Sequence, residues 1–199
     1  MVADAGVPAR VPAVALPPER RAELAELVRA RGYERREEPF RLSSGGTSHD
    51  YVDVRQAVAE GAALRAVGQA LIEAVEVEWD VVGGPTMGAD PLAHAAALLR
   101  GDAAWCSVRK EPKGYGRGQW VEGHRLGPGD RVLAVEDTVS TGGSLLRAIE
   151  RMTETGATVV AATTVVDRSP AVAERFAAAG IPWVPLLTWA DLGIEPLAG

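Results

Sequence analysis

The chain has 199 residues, a formal charge of -6, 47% hydrophobic and 24% charged residues. The length suits one α/β domain with an appended arm, the composition excludes wholesale disorder, and the acidic balance disfavours a broad nucleic-acid-binding surface. One cysteine, Cys106, excludes an internal disulfide, and no Cys/His pair has zinc spacing, so a reducing, cytoplasmic setting is expected.

Residues 1–16 are rich in Ala, Val and Pro. Their apolar runs are broken at Pro8 and Pro12 and stay far below the roughly 18 residues of a membrane span, so they read as a flexible arm before a single domain over 17–199. Pro17 and Pro18 suit a first helical turn, and Leu24, Leu27 and Val28 form an apolar stripe that stops at Gly32. Two short strands follow, around Phe40/Leu42 and around Tyr51/Val52/Val54, joined by a Ser/Gly turn. Leu64, Val67, Leu71, Ile72 and Val75 keep helical spacing over 60–76. Beyond them, the apolar runs VVGG, AWCSV, RVLAV and ATVVAATTVV alternate with helical segments at 90–99, 143–154 and 170–179. Strands alternating with helices imply right-handed crossovers and a mainly parallel sheet with helices on both faces. Trp105 and Cys106 are expected in its core.

Ligands of such sheets sit at the carboxyl ends of the strands, and glycine, hydroxyl and charged groups gather there. In VLAVEDTVSTGGS, residues 132–144, two acids precede a small loop. Thr138, Ser140, Thr141 and Ser144 offer hydroxyls, and Gly142 and Gly143 let successive N–H groups converge on an anion at a helix start. TGGS alone would equally suit a helix cap. Glu136 and Asp137 alter that reading, because adjacent carboxylates would repel a bare phosphate. A sugar phosphate reconciles the two: acids for ribose hydroxyls or the waters of a magnesium ion, and the loop for the phosphate. No Gly-Lys-Ser/Thr follows and no GxGxxG is present, which disfavours nucleoside triphosphates and dinucleotides.

A second cluster is basic. The chain has 19 arginines and two lysines, and both lysines, Lys110 and Lys113, fall in RKEPKGYGRGQW. Over 109–125, five basic residues face two acidic ones, a local reversal of sign on a glycine-rich segment suited to a mobile lid. The three histidines, His49, His94 and His124, read as structural or solvent residues.

The 132–144 segment resembles the phosphoribosyl diphosphate (PRPP) signature of type I phosphoribosyltransferases, and RKEPKGYG resembles the catalytic loop of the orotate phosphoribosyltransferase family, with Tyr115 where histidine is usual. The resemblance spans about residues 20–195. It implies that family's fold, with a small N-terminal hood, and Mg2+-dependent transfer of phosphoribosyl from PRPP to orotate. It also implies a homodimer whose lid is shared between subunits. In that frame Arg109, Lys110, Lys113 and Asp137 are catalytic. PRPP would be held by Arg109, Lys110, Lys113 and Tyr115, by Glu136 and Asp137, and by Thr138, Val139, Ser140, Thr141, Gly142, Gly143 and Ser144. Orotate would meet Ser140, Arg168, Tyr51 and Val52, and GGPTMGADPLA resembles the family's pyrophosphate-binding loop, where Met87 and Gly88 offer no charge and backbone N–H groups would act. Ser43 stands where many relatives have lysine, which leaves transfer to another base as an alternative that a panel of bases would test. A non-catalytic PRPP-sensing regulator is the other alternative; the acidic balance and the retained Lys110 and Lys113 weigh against it.

Overall fold

The computed structural model describes residues 16–42, 46–112 and 119–197. Helix α1, Pro18–Gly32, starts with proline in its first turn and buries Leu24, Ala25 and Val28. It leads into an antiparallel pair, β1 (Tyr33–Arg41) and β2 (Thr47–Val52), which forms a separate two-stranded sheet, the hood. Val54, expected in the second strand, instead opens a four-residue helix, α2 (Val54–Ala57). The Asp53 carboxylate caps it by accepting from the Gln56 N–H at 3.2 Å, a local bond that ends the strand.

Helix α3 (Gly61–Glu73) is followed by β3 (Val81–Pro85), α4 (Ala89–Arg100), β4 (Ala104–Val108), a short β5 (Val121–Gly123), β6 (Arg131–Val139), α5 (Gly143–Thr153), β7 (Thr158–Asp167), α6 (Ala171–Ala178) and β8 (Trp183–Thr188). The main sheet has the order β5-β4-β3-β6-β7-β8, all neighbours parallel except β4 and β5. This is the expected mainly parallel sheet, with β6 near its centre. The edge strands β5 and β8 leave no clear mark on the sequence. Three residues are too few to show a period, and Pro185 interrupts the apolar run of β8.

The alternation of β6 divides the core. Leu133 and Val135 pack with α1, α3 and α4, whereas Val132 and Ala134 turn toward α5 and α6. Both faces are thereby covered. Cys106 is fully buried, as expected, and burial pushes its thiol up to about 12. Trp105, its neighbour in the pleat, must point the other way; it is 39% exposed and meets His94 edge-on, with ring centroids 4.3 Å apart. The core position expected for Trp105 is therefore corrected by strand alternation. No described helix is long and apolar enough to cross a membrane.

Candidate active site

Strand β6 runs to Val139, so Glu136 and Asp137 lie inside the strand and not beyond its end. Glu136 pairs in register with Thr164 of β7, and the Thr164 hydroxyl donates to the carbonyls of Glu136 and Asp137 at 3.1 and 3.2 Å. The sheet thus sets the main chain of the acidic pair. The Thr138 N–H donates to the Asp137 carboxylate at 2.7 Å, which orients that side chain. Glu136 is only 7% exposed. Burial first, and then the charge of Asp137, raises its pKa well above the ordinary 4.5, with the Lys110 ammonium opposing the shift. Burial thus disfavours the charged form of Glu136 relative to an exposed carboxylate.

The loop that follows is braced from behind. Gly142 has φ of 78°, a left-handed conformation that any side chain would strain, and a Cβ there would lie 2.9 Å from the Phe176 ring. The Arg175 guanidinium donates to the Thr141 carbonyl at 2.5 Å, so α6 holds the turn from two sides. Helix α5 begins at Gly143, and the N–H groups of its first turn lack intrahelical acceptors and carry the positive end of the helix dipole. The Thr138 hydroxyl is buried without a partner among the described residues.

These groups line a cleft of about 450 Å³ together with Lys110. Ten sequence candidates meet there: Lys110, Glu136, Asp137, and the loop residues Thr138, Val139, Ser140, Thr141, Gly142, Gly143 and Ser144. Arg55 from α2 joins them, as do Thr86, Met87 and Gly88 from the loop after β3, the GGPTMGADPLA segment singled out in the sequence. A Cβ on Gly88 would lie 2.5 Å from the Asp137 carboxyl carbon, so glycine is what lets that loop close on the acid. The loop is tied down by Asp90, which accepts from the Thr86 hydroxyl at 2.7 Å and the Ser107 hydroxyl at 2.6 Å. Sequence reasoning misses both Arg55 and Asp90. The Asp-x-Arg step directly after a strand is the available signal for Arg55.

Other candidates lie apart from this cleft. Arg109 lines a neighbouring cavity and bonds the Glu111 carbonyl and the Glu122 carboxylate at 3.2 and 3.5 Å. Lys113 and Tyr115, with Ser43, lie outside the described residues. Tyr51 meets Phe40 edge-on at 5.4 Å beneath the Arg36 guanidinium, and Val52 packs against the main core. A second cleft of about 480 Å³ lies between the hood and residues 195–197, with Arg35, Asp50 and Thr141 in its wall. Thr141 belongs to both clefts. Arg168 stands against this second wall: its guanidinium donates to the Asp50 carbonyl at 3.1 Å, and its own carbonyl accepts from the Leu197 N–H at 2.7 Å. Arg168 is 3% exposed, and its Nε and second Nη have no partner among the described residues. Burial lowers its pKa. A guanidinium with spare buried donors is matched to a planar carboxylate. His94 packs on Trp105 and His124 meets Asp130, whereas His49 bonds the Arg36 carbonyl and lines the second cleft.

Residues 54–176 match the phosphoribosyl transferase domain family. The orotate phosphoribosyltransferase of Corynebacterium glutamicum is 44% identical over 179 residues, which are 89% of this chain and 96% of that protein. That of Methanothermobacter thermautotrophicus is 40% identical over 87% of this chain and 94% of its own length. The Mycobacterium tuberculosis H37Rv orotate phosphoribosyltransferase, solved in complex with PRPP, superimposes with a TM-score of 0.74 at 39% identity, covering 88% of this chain and 99% of that one. With the acidic pair and the braced loop set in a mainly parallel sheet, the chain belongs to the orotate phosphoribosyltransferases of the phosphoribosyl transferase domain family.

Proposed function

We propose that the chain transfers the phosphoribosyl group of PRPP to orotate, releasing diphosphate and forming orotidine 5'-monophosphate in pyrimidine synthesis. The observation that carries this reading is the meeting of Glu136, Asp137, the 138–144 loop and Lys110 in one cleft. The loop takes the 5'-phosphate through N–H and hydroxyl groups. The acids take the ribose hydroxyls, where negative charge also steadies the positive charge that develops on the sugar as the bond from its anomeric carbon to the diphosphate breaks. The new bond forms between that carbon and a ring nitrogen of orotate. Holding both partners in line supplies much of the acceleration, and no protein nucleophile is needed.

Orotate enters from the side of the second cleft, where Thr141 joins the two spaces and Arg168 offers its unpartnered N–H groups to the carboxylate. Ser140 stands on the sugar side of that junction, and Asp50, which precedes Tyr51 and Val52 on β2, lines the acceptor side. Lys110, with Arg109, Lys113 and Tyr115 of the lid, answers the departing diphosphate. Among the described residues no three His, Cys, Asp or Glu side chains form a metal cage. A magnesium ion fits this site differently, because it retains waters and is held by one or two carboxylates with substrate phosphates, a donor set that Glu136 and Asp137 supply. When bound with PRPP it would neutralise diphosphate charge. The working unit is a cytoplasmic homodimer in which one subunit's lid completes the other's cleft.

The test is loss of orotate absorbance on adding PRPP and magnesium. Omission of either should abolish it, and an unchanged signal with all components present would overturn the reading. Mixing Lys113→Ala with Asp137→Asn subunits tests the shared lid: activity should return in the mixture, and a mixture as inactive as its parts would exclude sharing.

A further inference from the structure

Two cations line the phosphate cleft among its described residues, Lys110 and Arg55. The main chain of Arg55 is fixed. The Asp53 N–H donates to the Gly32 carbonyl at 2.7 Å, the Asp53 carboxylate caps α2, and Val54 and Ala57 on either side are fully buried. Its side chain is freer: half exposed, it reaches the Asp53 carboxylate at 3.3 Å and that of Asp137 at only 3.8 Å.

PRPP carries its diphosphate at the end opposite its 5'-phosphate. The 138–144 loop contains no cation and can take the monoester through neutral donors. A diphosphate arriving beside Glu136 and Asp137 meets their repulsion, and Lys110 and a bound magnesium ion would share its neutralisation with one further positive group, held nearest Asp137. That group must also move, because Asp137 has to be released to the ribose hydroxyls. Resting on the phosphoribosyl-transfer reading, we propose that Arg55 is a diphosphate-binding residue: its guanidinium leaves Asp137 for the diphosphate of PRPP, and the same exchange frees Asp137 for the sugar. The ion pair given up is long and half exposed, hence weak. Its replacement joins a planar fork to a multiply charged phosphate, which the guanidinium can meet with two N–H groups at once.

Equilibrium binding of inorganic diphosphate with magnesium, and separately of ribose 5-phosphate, to the full chain tests this. Arg55→Gln should weaken diphosphate about tenfold, the scale of one charge-assisted hydrogen bond, while ribose 5-phosphate binds as before. KM for PRPP should rise with KM for orotate unchanged, and Arg55→Lys should recover part of the loss. Diphosphate binding at wild-type strength in Arg55→Gln, or an equal loss of ribose 5-phosphate, would overturn the proposal. If diphosphate binding depends on Arg55 and yet the wild-type chain makes no orotidine 5'-monophosphate, the reaction reading fails and the Arg55 assignment stands.

Discussion

Ten of the sixteen residues lining the phosphate cleft form one unbroken run, 136–145, whereas the hood cleft takes its wall from separated pieces: Arg35, Leu42, residues 46–50, Thr141 and residues 195–197. The first is a strand end, a turn and a helix start, braced by α6 and by the ladder to β7. The second exists only because a two-stranded hood and a terminal segment come together over β7. A local build gives rigidity and one fixed chemistry, and an assembled build lets the acceptor side change without disturbing the sugar side.

Substitutions on the two sides should therefore separate by substrate. The largest effect is expected for Asp137→Asn, which removes a carboxylate from beside the developing sugar cation. kcat/KM should fall by about 10²–10³, the scale for one electrostatic contact in a transition state; a loss below tenfold would take Asp137 out of the chemistry. Arg168→Gln comes next. It should raise KM for orotate about tenfold, the cost of a lost charge-assisted bond, and leave KM for PRPP unchanged, whereas a rise confined to PRPP would reverse the division between the clefts.

Gly142→Ala probes the rigid side through its backbone. A side chain at φ of 78° and against Phe176 should cost about 1–2 kcal/mol of stability, read as a lower thermal midpoint, together with a raised KM for PRPP. An unchanged midpoint would mean that the turn relaxes without cost. The smallest effect is expected for Glu136→Gln on stability. Burial raises the Glu136 pKa above 4.5, so the folded state holds the proton more tightly than the unfolded state, and stability drains away as pH climbs from the unfolded value through the folded one. The variant should melt like wild type at acid pH and above it on the alkaline side, in a thermal series from about pH 4 to about pH 9. Parallel curves would deny Glu136 a bound proton.

The same contrast explains what can be read from sequence. The phosphate cleft is legible because its chemistry is contiguous: two acids, hydroxyls and two glycines follow one apolar run. The parallel sheet is legible from the alternation of apolar runs with helical spacing. Arg55, Asp90 and Asp50 are not, since each has a partner distant in the chain, Asp137, Ser107 and Arg168 respectively, and a lone charged residue carries no period. Val54 and Trp105 depart from expectation for local reasons, a capping carboxylate one residue upstream and the unavoidable outward turn of every second strand residue. Arg168 is placed by resemblance alone, and its two unpartnered N–H groups give that placement a physical motive.

Because the acidic pair belongs to the hydrogen-bond ladder between β6 and β7, the floor of the cleft cannot breathe without unzipping a central strand. Admission and escape of ligands must then be carried by the separate pieces that complete its wall, Arg55, the loop after β3 and Lys110. Turnover in this enzyme should be timed by those pieces, with the floor serving as a static template.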